Sequence, residues 1–169
     1  MSISMYSASV PVFVRMLGNL QNWLDKAQAH AEARKFEPSN FVGLRLAPDM
    51  LPLNRQVQIA SDAAKACMAR LAGVEMPSWK DEETTLAELK ARVQKTIDYV
   101  QSFKPEQIDG SETRQITIPR RTSEPLVMEG EAFLKHYSLP NLYFHVTTTY
   151  ALLRQGGVDL GKGDYLGGL

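Results

Sequence analysis

Apolar residues recur along this chain at intervals of three and four, the mark of helices that bury one face. Phe13, Met16, Leu17, Leu20, Trp23, Leu24 and Ala27 form the first stripe. It predicts a helix from about Ser7 or Ser9 to about Arg34, with Pro11 in the first turn, where a missing N–H breaks no bond. Residues 38–48 read as a connection with one helical turn beginning near Ser39. A second stripe of Leu53, Val57, Ala60, Ala64, Cys67 and Leu71 starts after Asp49 and Pro52 and stops at Gly73, with Pro77 beyond. A third comprises Leu86, Leu89, Val93, Ile97, Val100 and Phe103. Its opening, Thr85-Leu-Ala-Glu88, is a capping box, in which each side chain satisfies an otherwise orphan backbone N–H.

The pattern then changes. Residues 113–118 alternate with β-branched side chains, and residues 126–128 form a second short apolar run. Residues 119–125 between them make a polar turn, so a small β-hairpin is expected, resting on the bundle or pairing with another chain. Residues 130–137 suit a short helix, with a break and restart at Ser138 and Pro140. A final, largely apolar helix runs from about Pro140 to Gln155 and stops at Gly156-Gly157. The tail to Leu169 is glycine-rich and reads as surface-hugging chain without an element of its own. Four long helices imply an all-α antiparallel four-helix bundle with the hairpin between helices 3 and 4, in one domain spanning residues 1–169.

Composition narrows the function classes. Nineteen basic and nineteen acidic residues cancel, and no Lys/Arg run offers a footprint for nucleic acid. No run of about 18 apolar residues calls for a membrane span, and the N-terminus lacks a signal-peptide pattern, so a cytoplasmic protein is expected. The single cysteine, Cys67, excludes an intramolecular disulfide and a CxxC zinc site, and reads as a small buried helix residue. Glycine-rich phosphate loops and nucleophile elbows are missing from the sequence. Trp23 and Trp79 read as core and loop-anchoring residues, and Asp62 with Lys65 as a solvated i, i+3 pair.

The last helix carries a resemblance. The segment Asn141-Leu-Tyr-Phe-His145, followed by Arg154-Gln-Gly-Gly-Val158, resembles the end of the DinB-like four-helix-bundle superfamily. The match extends to Asp49-Met-Leu-Pro-Leu53, Gln56-Val-Gln58 and the tail Gly161-Lys-Gly-Asp164-Tyr-Leu-Gly167, which resemble an uncharacterised bacterial domain-of-unknown-function branch of it. It covers most of the chain. Metal-binding members of the superfamily carry one histidine on helix 2 and two on the last helix, four residues apart. The resemblance places His145 on the second of that pair, Asn141 on the first, and the helix 2 position near Gln56 to Gln58, where no histidine stands.

A catalytic metal wants about three protein ligands and an open position, with imidazole or thiolate preferred over amide. The chain offers His145, Asn141, Gln56 and Thr149 as ligand-pocket candidates. No metal or other cofactor is expected; a transition metal, if present, would be held by His145 with His136 or Gln56. His30 reads as a solvated surface residue. For His145 three readings stand: a core histidine hydrogen-bonded to another helix, a remnant ligand pocket, and a working metal site. Gln56 lies about 40° from Ala60 around helix 2 and so faces the core, where it is the natural partner of His145; His145 should also line the largest inter-helix cavity. Two functions follow. One is a small-ligand-binding or interaction bundle with a degenerate metal site, homodimeric through the hairpin edge and the last helix. The other, implied by the resemblance, is a divergent metal- or thiol-cofactor-dependent transferase.

Overall fold

The computed structural model describes residues 3–120 and 122–168. Four long helices form a bundle: α1 (Val10–Arg34), α2 (Leu53–Ala72), α3 (Leu86–Gln101) and, after the short elements α4 (Pro105–Ile108) and α5 (Gly130–Phe133), α6 (Leu139–Gln155). The expected stripes supply its core: Phe13, Leu17, Leu20, Trp23, Val57, Ala60, Ala64, Leu89 and Val93 are fully buried. Thr85 and Glu88 form the expected capping box, with Glu88 N–H donating to Thr85 Oγ1 and Thr85 N–H donating to Glu88 Oε2.

Around the bundle the order is α1, α3, α2, α6. α1 and α3 are antiparallel: Gln21 meets Gln94 while Asp25 meets Lys90. α2 and α6 are antiparallel too, with Gln56 against His145 and Cys67 against Ser138. α2 and α3 run in the same direction, Asp62 meeting Arg92 while Lys65 and Lys95 both sit over the Trp79 ring. The reason is the connection. Residues 73–85 form an irregular strap that carries the chain back along the bundle before α3 begins.

The hairpin pairs β1 (Gln115–Ile118) with β2 (Leu126–Glu129) in antiparallel register, Gln115 opposite Glu129 and Ile118 opposite Leu126. Its alternation puts Ile116 and Ile118 onto the bundle, which supplies the support a lone hairpin lacks. Gly130 follows directly; a Cβ there would lie 2.0 Å from the Ser111 carbonyl oxygen, so only glycine permits this approach.

Two expectations are corrected. There is no break at Ser138 and Pro140: residues 130–155 form one continuous helix in which Leu134–Ser138 adopt a π-helical turn. Pro140 brings no N–H, so the His136 carbonyl cannot close an ordinary i+4 bond, and the helix widens locally instead of stopping. The tail does form an element, the short helix α7 (Lys162–Leu166). Asp164 nucleates it by accepting from Gly161 N–H at 2.8 Å. Trp23 Nε1–H donates to the Asp164 carbonyl at 3.1 Å, and Tyr165 stacks on the Trp23 ring. Gly167 closes the turn at φ +70°, against Asn19.

Candidate functional site

His145 projects from α6 toward the start of α2 and is 8% exposed. Its Nδ1 lies 2.7 Å from Gln56 Oε1, the bond the angular position of Gln56 leads one to expect. The proton's place follows from the next link. Gln56 Nε2 donates to the Leu51 carbonyl at 2.9 Å, which turns Oε1 toward the ring. Nδ1 must therefore carry the hydrogen, leaving Nε2 as an acceptor. Burial holds the imidazole below its ordinary pKa, favouring this neutral form.

The other candidates divide. Thr149 is buried, and its hydroxyl is spent on the His145 carbonyl at 2.9 Å, a local back-bond that leaves it no ligand role. Asn141, half-buried, faces a separate cleft with Asp62, Arg70 and Tyr137. His136 is exposed on the continuous helix and cannot fold back toward His145. His30 is not a solvated residue: it is half-buried in an aromatic corner with Phe36 and Phe41 at ring-centroid distances of 5.9 and 6.3 Å. Cys67 is buried, and its thiol is pushed up to about 12, chiefly by desolvation, so it is no nucleophile.

The metal that the fold family implies does not fit these residues. The α2–α6 contact offers one imidazole, whose Nδ1–H is bound to an amide oxygen, and otherwise amides and a committed hydroxyl. Among the described residues no group of three His, Cys, Asp or Glu side chains is placed to hold a metal ion.

The sequence reading missed the largest polar construction in the molecule. Asp62 and Lys65 pair at 2.8 Å as expected, but the lysine is buried and the pair is not a solvated one. Arg92, also buried, binds Asp62 at 3.1 Å, Asp81 at 2.9 Å and Glu83 at 3.0 Å. Arg55 adds Asp81 and Gln58, and Gln58 donates to Glu83 at 2.7 Å. Burial pushes the Asp81 carboxyl up, but the Arg55 hydrogen bond and the Arg92 charge outweigh it and hold it below the usual range. These contacts tie the strap to α2 and α3. The available signal was the acidic run Asp81-Glu-Glu83, together with Arg92 and Lys65 directly beside the core positions Val93 and Ala64.

An open cleft of about 530 Å³ lies here, between the strap and α3, with Trp79, Glu83, Arg92 and Lys95 on its walls. His145 does not line it. Beside His145 itself stand Gln56, on Nδ1, and the Phe144 ring, edge-on to the imidazole at 5.1 Å.

The fold is that of the DinB-like four-helix bundles. The chain is similar to a DinB family member from Shewanella denitrificans of known crystal structure, with 43% identity, a TM-score of 0.89, and coverage of 97% of this chain and 92% of that one. Residues 5–166 match the family described as Domain of unknown function (DUF1993), and the chain belongs to that family. No functionally curated protein matches it. Among the described residues no helix is long and apolar enough to cross a membrane.

Proposed function

We propose that this protein is a small-ligand-binding bundle, built where relatives of the same fold hold a metal but with a donor set that no longer suits one. The observation that carries the reading is the Leu51–Gln56–His145 relay, which orients the imidazole and leaves Nε2 as an acceptor without a partner among the described residues. The Gln56 bond satisfies Nδ1 as any buried imidazole requires; the support for a ligand is the remaining Nε2 acceptor, which a ligand hydroxyl or amide N–H would meet. We further propose a homodimer, in which the exposed Tyr143 and Phe144 of α6, beside Leu46, pack against a second copy. A cytoplasmic setting accords with a lone, buried thiol.

The test is elemental analysis of untagged protein beside ligand screening by protein-observed NMR. Metal-free protein whose melting temperature is indifferent to chelators, with ligands that shift the resonances of His145, fits the proposal. About one equivalent of a transition metal, lost in His145→Ala, would overturn it in favour of a metal-dependent transferase.

A further inference from the structure

The cleft that takes Asn141 has a charge and a shape of its own. It runs between α2 and the continuous 130–155 helix, beneath Ile118 and Pro119 of the hairpin, and encloses about 240 Å³. Its α2 wall is one helical face, Ile59, Asp62, Ala63, Ala66 and Arg70, and the small alanines make the floor. Its opposite wall contains the π-helical turn, a feature that in helices frequently marks a functional site.

The charges at its two ends differ. Asp62 is compensated by both Lys65 and Arg92. Arg70 lies eight residues along α2, roughly 12 Å away at 1.5 Å per residue, and pairs with no carboxylate among the described residues. Its guanidinium sits 5.9 Å from the Phe133 ring centroid, and Tyr137 stacks on that ring. The guanidinium thus lies beside an aromatic face with no carboxylate partner among the described residues, and its fork of N–H groups is suited to a carboxylate. The middle of the cleft is apolar, and Asn141 stands near the Asp62 end with its amide unbonded to any described residue.

We propose that this cleft binds a small organic carboxylate: the anionic head on Arg70, an apolar body of on the order of ten heavy atoms over Ala63 and Ala66, and a polar group at Asn141. His145 does not line this cleft, so the proposal goes beyond the reading above and adds a second site. The size follows from a space of roughly eight waters, and the sign of the charge from the unpaired Arg70.

Calorimetric titration with 3-phenylpropanoate and octanoate tests it, with 3-phenylpropanamide and inorganic phosphate as controls. Both carboxylates should bind, and the neutral amide should bind on the order of tenfold more weakly, the value of a charge-assisted hydrogen bond. Arg70→Gln should weaken the carboxylates by a similar factor, and Arg34→Gln, which removes a positive charge at the exposed end of α1, should leave them unchanged. If Arg70→Gln fails to fold, Arg70→Lys should weaken binding while keeping preference for the anion, because lysine retains the charge without the fork. Binding that is indifferent to Arg70, or equal for acid and amide, overturns the proposal, as does phosphate binding as tightly as the carboxylates. Should His145→Gln abolish binding that Arg70→Gln spares, the carboxylate cleft is wrong and the ligand-binding reading survives. Saturation by none of the probes at millimolar concentration overturns the carboxylate class alone.

Discussion

The imidazole of His145 is worth more to Gln56 than its size suggests. Removing it leaves Gln56 Oε1 facing a void, an acceptor with no donor, so His145→Ala should destabilise the fold by about 1–3 kcal/mol in urea titration. His145→Gln keeps a donor in reach and should cost less; equal losses would show that packing, not the bond, matters. The same group sets a pH dependence. Its folded pKa lies below the ordinary value of 6.5, so the unfolded chain takes up the proton first. Its stabilising contribution is full above that value and is lost as pH falls toward the folded pKa. Melting temperatures measured between about pH 5 and about pH 8 should therefore drop more steeply on acidification for the native chain than for His145→Gln. Parallel curves would show that His145 does not titrate out of its pocket. The Gln56 contact was legible because helical angles alone carry a polar side chain to the core face. The ring's tight packing was not, because the free space beside it depends on how Phe144 and Gln56 pack.

At the scale of elements, the stripes and the capping box were readable because each depends on residues a turn or less apart. The strap's attachment was not. Arg92, Lys65 and Gln58 look like surface residues in a helical pattern, and only the parallel course of α2 and α3 brings the strap's acids over them. The π turn escaped for a related reason: Pro140 reads locally as a helix start, and only packing of Leu134 and Leu142 on one core shows that the helix continues. Arg92 makes the strap's role testable. Arg92→Met keeps the aliphatic stem but removes the cation that Asp62, Asp81 and Glu83 share, leaving Asp62 to Lys65 and Asp81 to Arg55. A loss of about 3 kcal/mol is expected, the low end for breaking a buried pair, because Asp62 and Asp81 keep part of their hydration. Amide exchange in residues 74–85 should accelerate more than in α1. A loss below about 1 kcal/mol, the usual worth of an exposed pair, would show that the strap does not depend on this network.

Across the whole molecule, the chain covers its own bundle unevenly. The strap closes over α2 and α3, the hairpin turns Ile116 and Ile118 onto the bundle, and α7 seals α1 with Tyr165 against Trp23 and Tyr150. The outer face of α6 is left with Tyr143 at 39% and Phe144 at 55% exposure, and Leu46 and Leu51 are both 45% exposed. An apolar-lined groove of about 420 Å³ runs beside them, bounded by Leu46, Pro140, Phe144 and Ala151. One protomer thus presents both a protruding ring and a receiving groove on a single face, which is what a two-fold interface requires of a self-complementary patch. Light scattering at low micromolar concentration should accordingly give twice the 18.9 kDa chain mass. Phe144→Asp places a charge at the centre of that patch on a half-exposed position whose loss costs one edge-on contact with His145, so it should yield the monomer mass with an unchanged helical circular dichroism spectrum. If the native chain already runs as a monomer, no dimer forms. If Phe144→Asp stays dimeric, the interface lies elsewhere, and the outer strand edges of the hairpin become the surface to substitute next.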